Sequence, residues 1–87
     1  MQKKTSKKLS ESTIQSKAIA KWEKAGWYAV KLIQTNKNGI PDIMFLKDGK
    51  CIFAECKIEG GKLRPLQEHR KKELEAQGFE VLLIDSI

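Results

Sequence analysis

Two short blocks carry residue types suited to hydrolytic chemistry, Gly39-Ile40-Pro41-Asp42 and Glu55-Cys56-Lys57. The segment between them predicts a β-hairpin, because Ile43-Met44-Phe45-Leu46 and Cys51-Ile52-Phe53-Ala54 flank an Asp48-Gly49 pair of the kind that favours tight two-residue turns. Antiparallel pairing then folds Asp42 back toward Glu55. Alternation along the second strand puts Phe53, Glu55 and Lys57 on one face and Ile52, Ala54, Cys56 and Ile58 on the other, so the apolar face makes core and the other carries charge. A charged strand face ordinarily turns to water. With a second carboxylate beside it, the same face makes a divalent-metal site with a cation next to it. Phosphodiester hydrolysis needs a nucleophilic water, neutralisation of phosphate charge and stabilisation of the departing oxygen, and a divalent ion can supply all three. Magnesium takes hard oxygen ligands and keeps several waters, so Asp42, Glu55 and the backbone carbonyl of Cys56 form a workable set. Lys57 then orients or deprotonates the water, or offsets charge on the phosphate.

The elements that must position these groups follow from periodicity. Ser10 is a candidate N-cap, and Ile14, Ala18, Trp22 and Ala25 recur at helical spacing until Gly26, which predicts a helix from Glu11 to Ala25. Trp27 to Ile33 is rich in aromatic and β-branched residues and predicts a strand, followed by the polar loop Gln34 to Gly39. After the hairpin, Gly60-Gly61 opens a loop and Pro65 suits a first helical turn. Leu66, Leu74 and Gln77 then lead to a stop at Gly78, and Phe79 to Ile84 is the last strand. The helix between the third and fourth strands is long enough for a right-handed crossover, so that pair is expected to be parallel in an otherwise antiparallel sheet. Trp22 and Trp27 are expected in the core, and His69 in solvent.

With 87 residues the chain is one domain, expected to comprise a basic tail over 1–9 and a folded unit over 10–87, small enough that self-association would help it. It has no apolar stretch able to cross a bilayer and no signal-like leader, so a cytoplasmic protein without a membrane partner is expected. Cys51 and Cys56 point to opposite faces of one strand and should be free thiols, and one histidine without a second cysteine pair argues against zinc. The formal charge of +6 suggests a polyanion as partner. Lys3, Lys4, Lys7 and Lys8 carry most of that excess; without them 13 basic residues face 11 acidic ones. A second basic group, Lys62, Arg64, Arg70, Lys71 and Lys72, surrounds the second helix and would track phosphates if that side meets DNA; a solvated helix gives the same pattern.

Pro41-Asp42 and Glu55-Cys56-Lys57, in this order between two helices, resemble the proline-aspartate and Glu-x-Lys elements of the VRR-NUC group within the PD-(D/E)XK nuclease superfamily. The likeness covers nearly the whole chain after the tail. It implies a restriction-endonuclease-like αβββαβ core, an α/β fold with a mixed four-stranded sheet flanked by helices. It also implies Mg2+- or Mn2+-dependent endonuclease activity, without a small-molecule cofactor, on structured or branched DNA by a homodimer of phage or bacterial origin. Three further roles come from the resemblance: Glu11 as an acidic residue joining the metal site, Gln67 as the glutamine of the second helix, and Lys31 as a phosphate-contacting strand lysine. Arg64 stands where such proteins often place a serine or threonine cap, which puts the start of that helix at issue. Two alternatives stay open: a DNA- or junction-binding module without catalysis, and a resolvase- or restriction-type enzyme of the same superfamily.

Overall fold

A computed structural model describes residues 9–86 of the chain; residues 1–8, most of the expected tail, and residue 87 lie outside the described part. The element order is α1 (Glu11–Lys24), β1 (Tyr28–Lys31), β2 (Ile43–Lys47), β3 (Lys50–Cys56), α2 (Pro65–Ala76) and β4 (Glu80–Ile84). The four strands form one sheet in the order β1-β2-β3-β4. The first two pairings are antiparallel and β3–β4 is parallel, as the crossover through α2 requires.

Helix α1 forms where its sequence supplies both a cap and an apolar stripe. The Ser10 hydroxyl accepts the Thr13 N–H at 3.2 Å, Glu11 sits at the positive end of the helix dipole, and Lys21 and Lys24 sit at the negative end. Its stripe buries Ile14 and Ala18 against Ile43, Phe45, Ala54 and Cys56. Full burial of such an aliphatic side chain is worth about 1.5–3 kcal/mol, so this layer holds most of the stabilising contacts. Trp22 stacks on Phe45, with ring centroids 4.2 Å apart, and meets Trp27 edge to face at 5.1 Å. Both tryptophans are half-buried and pack against the core, on the side their positions predict.

Several boundaries differ from the expectation, among them the end of α1, both ends of β1 and the start of β4 at Glu80. The helix ends at Lys24 because Ala25 is its C-cap, and Trp27 donates its N–H to the Trp22 carbonyl at 3.0 Å, which leaves Trp27 in the helix-closing turn and not in the strand. Strand β1 accordingly starts at Tyr28. It stops at Lys31, since its partner β2 begins at Ile43; Leu32 adds one last bond to the Asp42 carbonyl at 2.8 Å before the chain departs. The hairpin closes as expected, with Lys47 opposite Lys50 and both turn residues in the left-handed region, Asp48 at φ 50° and Gly49 at φ 78°.

Candidate active site

The site follows from hairpin register. Ile43 pairs with Ala54, which sets Asp42 opposite Glu55 at the mouth of the hairpin. One bond locks that geometry: the Cys56 N–H donates to Asp42 Oδ2 at 2.8 Å. Sequence reasoning assigned the Cys56 backbone a role through its carbonyl; the amide of the same residue is what orients the aspartate.

The Glu55 face of β3 does not turn toward water, as a charged strand face ordinarily does. Glu55 is 4% exposed and Lys57 5%. Alternation separates the two faces correctly, but both are covered, Ala54 and Cys56 by α1, and Glu55 beneath the start of α2, where Gln67 Nε2 donates to Glu55 Oε2 at 3.1 Å. Burial pushes the Glu55 carboxyl from its ordinary 4.5 up to about 8; the charge of neighbouring Asp42 and a hydrogen bond with it push the same way, Lys57 opposes, and Glu11 adds a smaller push. The Cys56 thiol is raised from 9.0 to about 12, first by burial and then by Asp42, Glu55 and Glu11, against the opposing pull of Lys31.

Helix α2 begins at Pro65 although Arg64, its N-cap residue, has no acceptor to offer. Gln67 does the capping instead: its Oε1 accepts the Arg64 N–H at 2.9 Å while its Nε2 reaches Glu55. A single amide thus fixes both the start of the helix and the carboxylate. Sequence reasoning missed a second tie from α2. Arg70 Nε donates to the Asn38 carbonyl at 2.8 Å, and its Nη1 pairs with Glu73 at 2.9 Å. Gly39, at φ +79°, completes this attachment, because a Cβ there would lie 2.7 Å from Leu66 Cγ. The sequence signal was Gly39 itself, just before Ile40-Pro41-Asp42.

The remaining expected site residues spread out. Glu11 is exposed at the start of α1 and reaches Glu55 and Cys56 through its charge; among the described residues no group of three or more His, Cys, Asp or Glu side chains is arranged to hold a metal. Lys31, exposed at the end of β1, is in register with Ile43 and so lies on the α1 side of the sheet, opposite Glu55. Lys62 and Arg64 are exposed just before α2, while Lys71 is ion-paired with Glu75 at 2.7 Å. His69 is exposed beside Glu73, as expected. Both cysteines are free. No helix among the described residues is long and apolar enough to cross a membrane.

The fold, a mixed four-stranded sheet with flanking helices, matches solved structures of VRR_NUC domains. The chain superposes on a structure described as a VRR_NUC domain with a TM-score of 0.79 and 28% identity, over 87% of this chain and 84% of that one. It also superposes on a VRR_NUC domain protein with a TM-score of 0.73, over 93% and 81% of the two chains, a likeness of fold at 19% identity. In sequence it is 34% identical over 79 residues to "Putative nuclease p44" of Acyrthosiphon pisum secondary endosymbiont phage 1, spanning 90% of this chain and 85% of that protein. The chain belongs to the VRR-NUC family of nucleases. No family model matches it.

Proposed function

We propose that this chain is an intracellular, divalent-metal-dependent DNA endonuclease, with Asp42 and Glu55 as metal ligands, Lys57 and Gln67 as their catalytic partners, and structured or branched DNA as substrate. The observation that carries this reading is half-buried Asp42 set against buried Glu55. Burial first, and the Asp42 charge and hydrogen bond second, push the Glu55 carboxyl up to about 8, so its ionised form is held there at a cost. A cation relieves it. The donor set fits a hard ion: two carboxylates at the hairpin mouth and the Cys56 carbonyl, with no imidazole or thiolate. Glu11 adds negative charge that favours a cation at the same place.

When bound, magnesium or manganese supplies an activated water and neutralises phosphate charge. The chain's own residues do the rest. Asp42, oriented by the Cys56 amide, and Glu55, oriented by Gln67, hold their carboxyl groups at one place, where a cation would replace the proton and the hydrogen bond they share. Lys57 places a positive charge beside Glu55, where it offsets the charge that builds on the phosphate in the transition state. Lys31, Lys62, Arg64 and Lys71 serve as phosphate contacts that set register without reading bases. Tyr28 on β1 and Leu83 on β4 leave apolar side chains exposed on the two edge strands. A homodimer burying them would bring two sites to one branched substrate.

The test is hydrolysis of labelled duplex, single-stranded and four-way-junction DNA, with magnesium or manganese and with chelator. Cleavage only with metal, and fastest on the junction, is expected. Binding without cleavage under every metal condition would leave the non-catalytic junction-binding module as the better account. Sedimentation at micromolar concentration tests the dimer, which a mass near the 9.9 kDa of one chain would overturn.

A further inference from the structure

The loop between β1 and β2 forms a trough of about 340 Å³ whose walls include Ile33, Gln34, Lys37 and Asn38 and which ends at Asp42. Its volume is at the small end of the about 300–1,000 Å³ range of ligand clefts, so it holds one compact polar unit and not a duplex groove. Its lining is strongly polar. Leu32 and Ile40 also line it, and at its rim Ile33, 84% exposed, is an aliphatic side chain standing in water next to amides and a lysine. Nothing in the core explains Ile33, since the chain has already left β1 at Lys31.

The trough is built in place. Its far wall is fastened to α2 by the Arg70 bond to the Asn38 carbonyl, where Arg70 is only 18% exposed, and by Gly39 packed on Leu66. On the loop itself, the Thr35 hydroxyl donates to the Lys37 carbonyl at 2.8 Å. The amide side chains of Gln34 and Asn38 offer both donors and acceptors, Lys37 offers a cation, and Ile33 offers an apolar edge. This is the complement of one unpaired nucleotide: a base with hydrogen-bonding edges and an apolar face, linked to a phosphate. Because Asp42 closes the trough, whatever fills it is next to the scissile phosphate.

We infer that the 32–40 trough is a nucleotide subsite, in which the base flanking the scissile phosphate, unstacked from its neighbours, sits against Ile33 and bonds to Gln34 and Asn38. This inference rests on the nuclease reading for the place of the phosphate, and its test is kept separate from catalysis.

The full-length protein is titrated, in chelator, with a series of junction oligonucleotides carrying one abasic residue at each position in turn, and binding is read by fluorescence anisotropy. One position is expected to weaken binding by about tenfold, the scale of a lost base stack. Ile33→Ser and Asn38→Ala, both at surface positions, are expected to bind the intact and abasic forms alike while melting at the wild-type temperature. Wild-type affinities that stay equal across the series would overturn the subsite, whatever the hydrolysis assay gives, and so would an abasic penalty that persists in both variants. Discrimination without hydrolysis would keep the subsite and remove the nuclease reading.

Discussion

The two helices make opposite bargains with the same sheet. Helix α1, 14 residues long, buries Ile14 and Ala18 and is capped by its own serine. Helix α2, 12 residues long, has no buried residue and is held by the bonds of Gln67 and Arg70. Apolar packing is strong and tolerant of small displacements, whereas a hydrogen bond is weak in net terms and demanding in angle. The first layer therefore supplies stability, and the second supplies aim. A buried carboxylate beneath α2 is affordable because α1 and the Ala54 face carry the fold.

Changes at the site break this comparison most sharply. Glu55→Gln should abolish hydrolysis, by far the largest effect, while keeping the shape of the side chain. It should also raise the melting temperature in chelator at neutral to mildly alkaline pH. A carboxyl whose folded pKa of about 8 lies above its ordinary 4.5 binds its proton more tightly in the folded chain. Its contribution to stability is therefore complete below about pH 4.5 and is lost as pH rises to about 8. Melting curves of the wild type in chelator should fall across that window, and those of Glu55→Gln should stay level by comparison. A wild-type curve that rises there would place the buried charge elsewhere.

On the opposite layer, Ile14→Ala should cost about 2–5 kcal/mol in denaturant unfolding and leave turnover per folded molecule unchanged. Lost turnover in the folded fraction would show that α1 also aims the site. Lys57→Ala should reduce the rate about 10²-fold with little change in DNA affinity, as expected of a group that acts in the transition state. Equal losses in both would make it a plain phosphate contact. The smallest effect belongs to Gln67→Ala, about tenfold in kcat with a melting temperature lower by several degrees, since each of its two bonds is worth about 1 kcal/mol net. A large loss of stability there would mean that α2 is a structural layer after all.

Much of this arrangement was legible in the sequence because local chemistry encodes it. The Asp48-Gly49 turn sets the hairpin, and the hairpin register sets Asp42 opposite Glu55. The crossover length settles the parallel pair. What escaped depends on long-range placement: alternation separates the faces of β3 but cannot say that α2 closes over Glu55. The resemblance singled out Gln67, and Arg64 was already a poor cap, but that one amide both caps α2 and holds Glu55 depends on the placement of the helix over the sheet. Trp27 has strand character, yet the turn that ends α1 claims its N–H.

Cys56 has a consequence in terms of oxidation and metal poisoning. It stands between the acid and the base of the Glu-x-Lys element, where an exposed thiolate would let peroxide, or a soft ion such as cadmium or zinc, switch the enzyme off. Its side chain is instead fully buried on the α1 side of the sheet, and burial first, then the charges of Asp42, Glu55 and Glu11, push the thiol up to about 12. Only its backbone takes part in the site. A thiol so placed is shielded from oxidants and soft ions, although it lies at the centre of the Glu-x-Lys element.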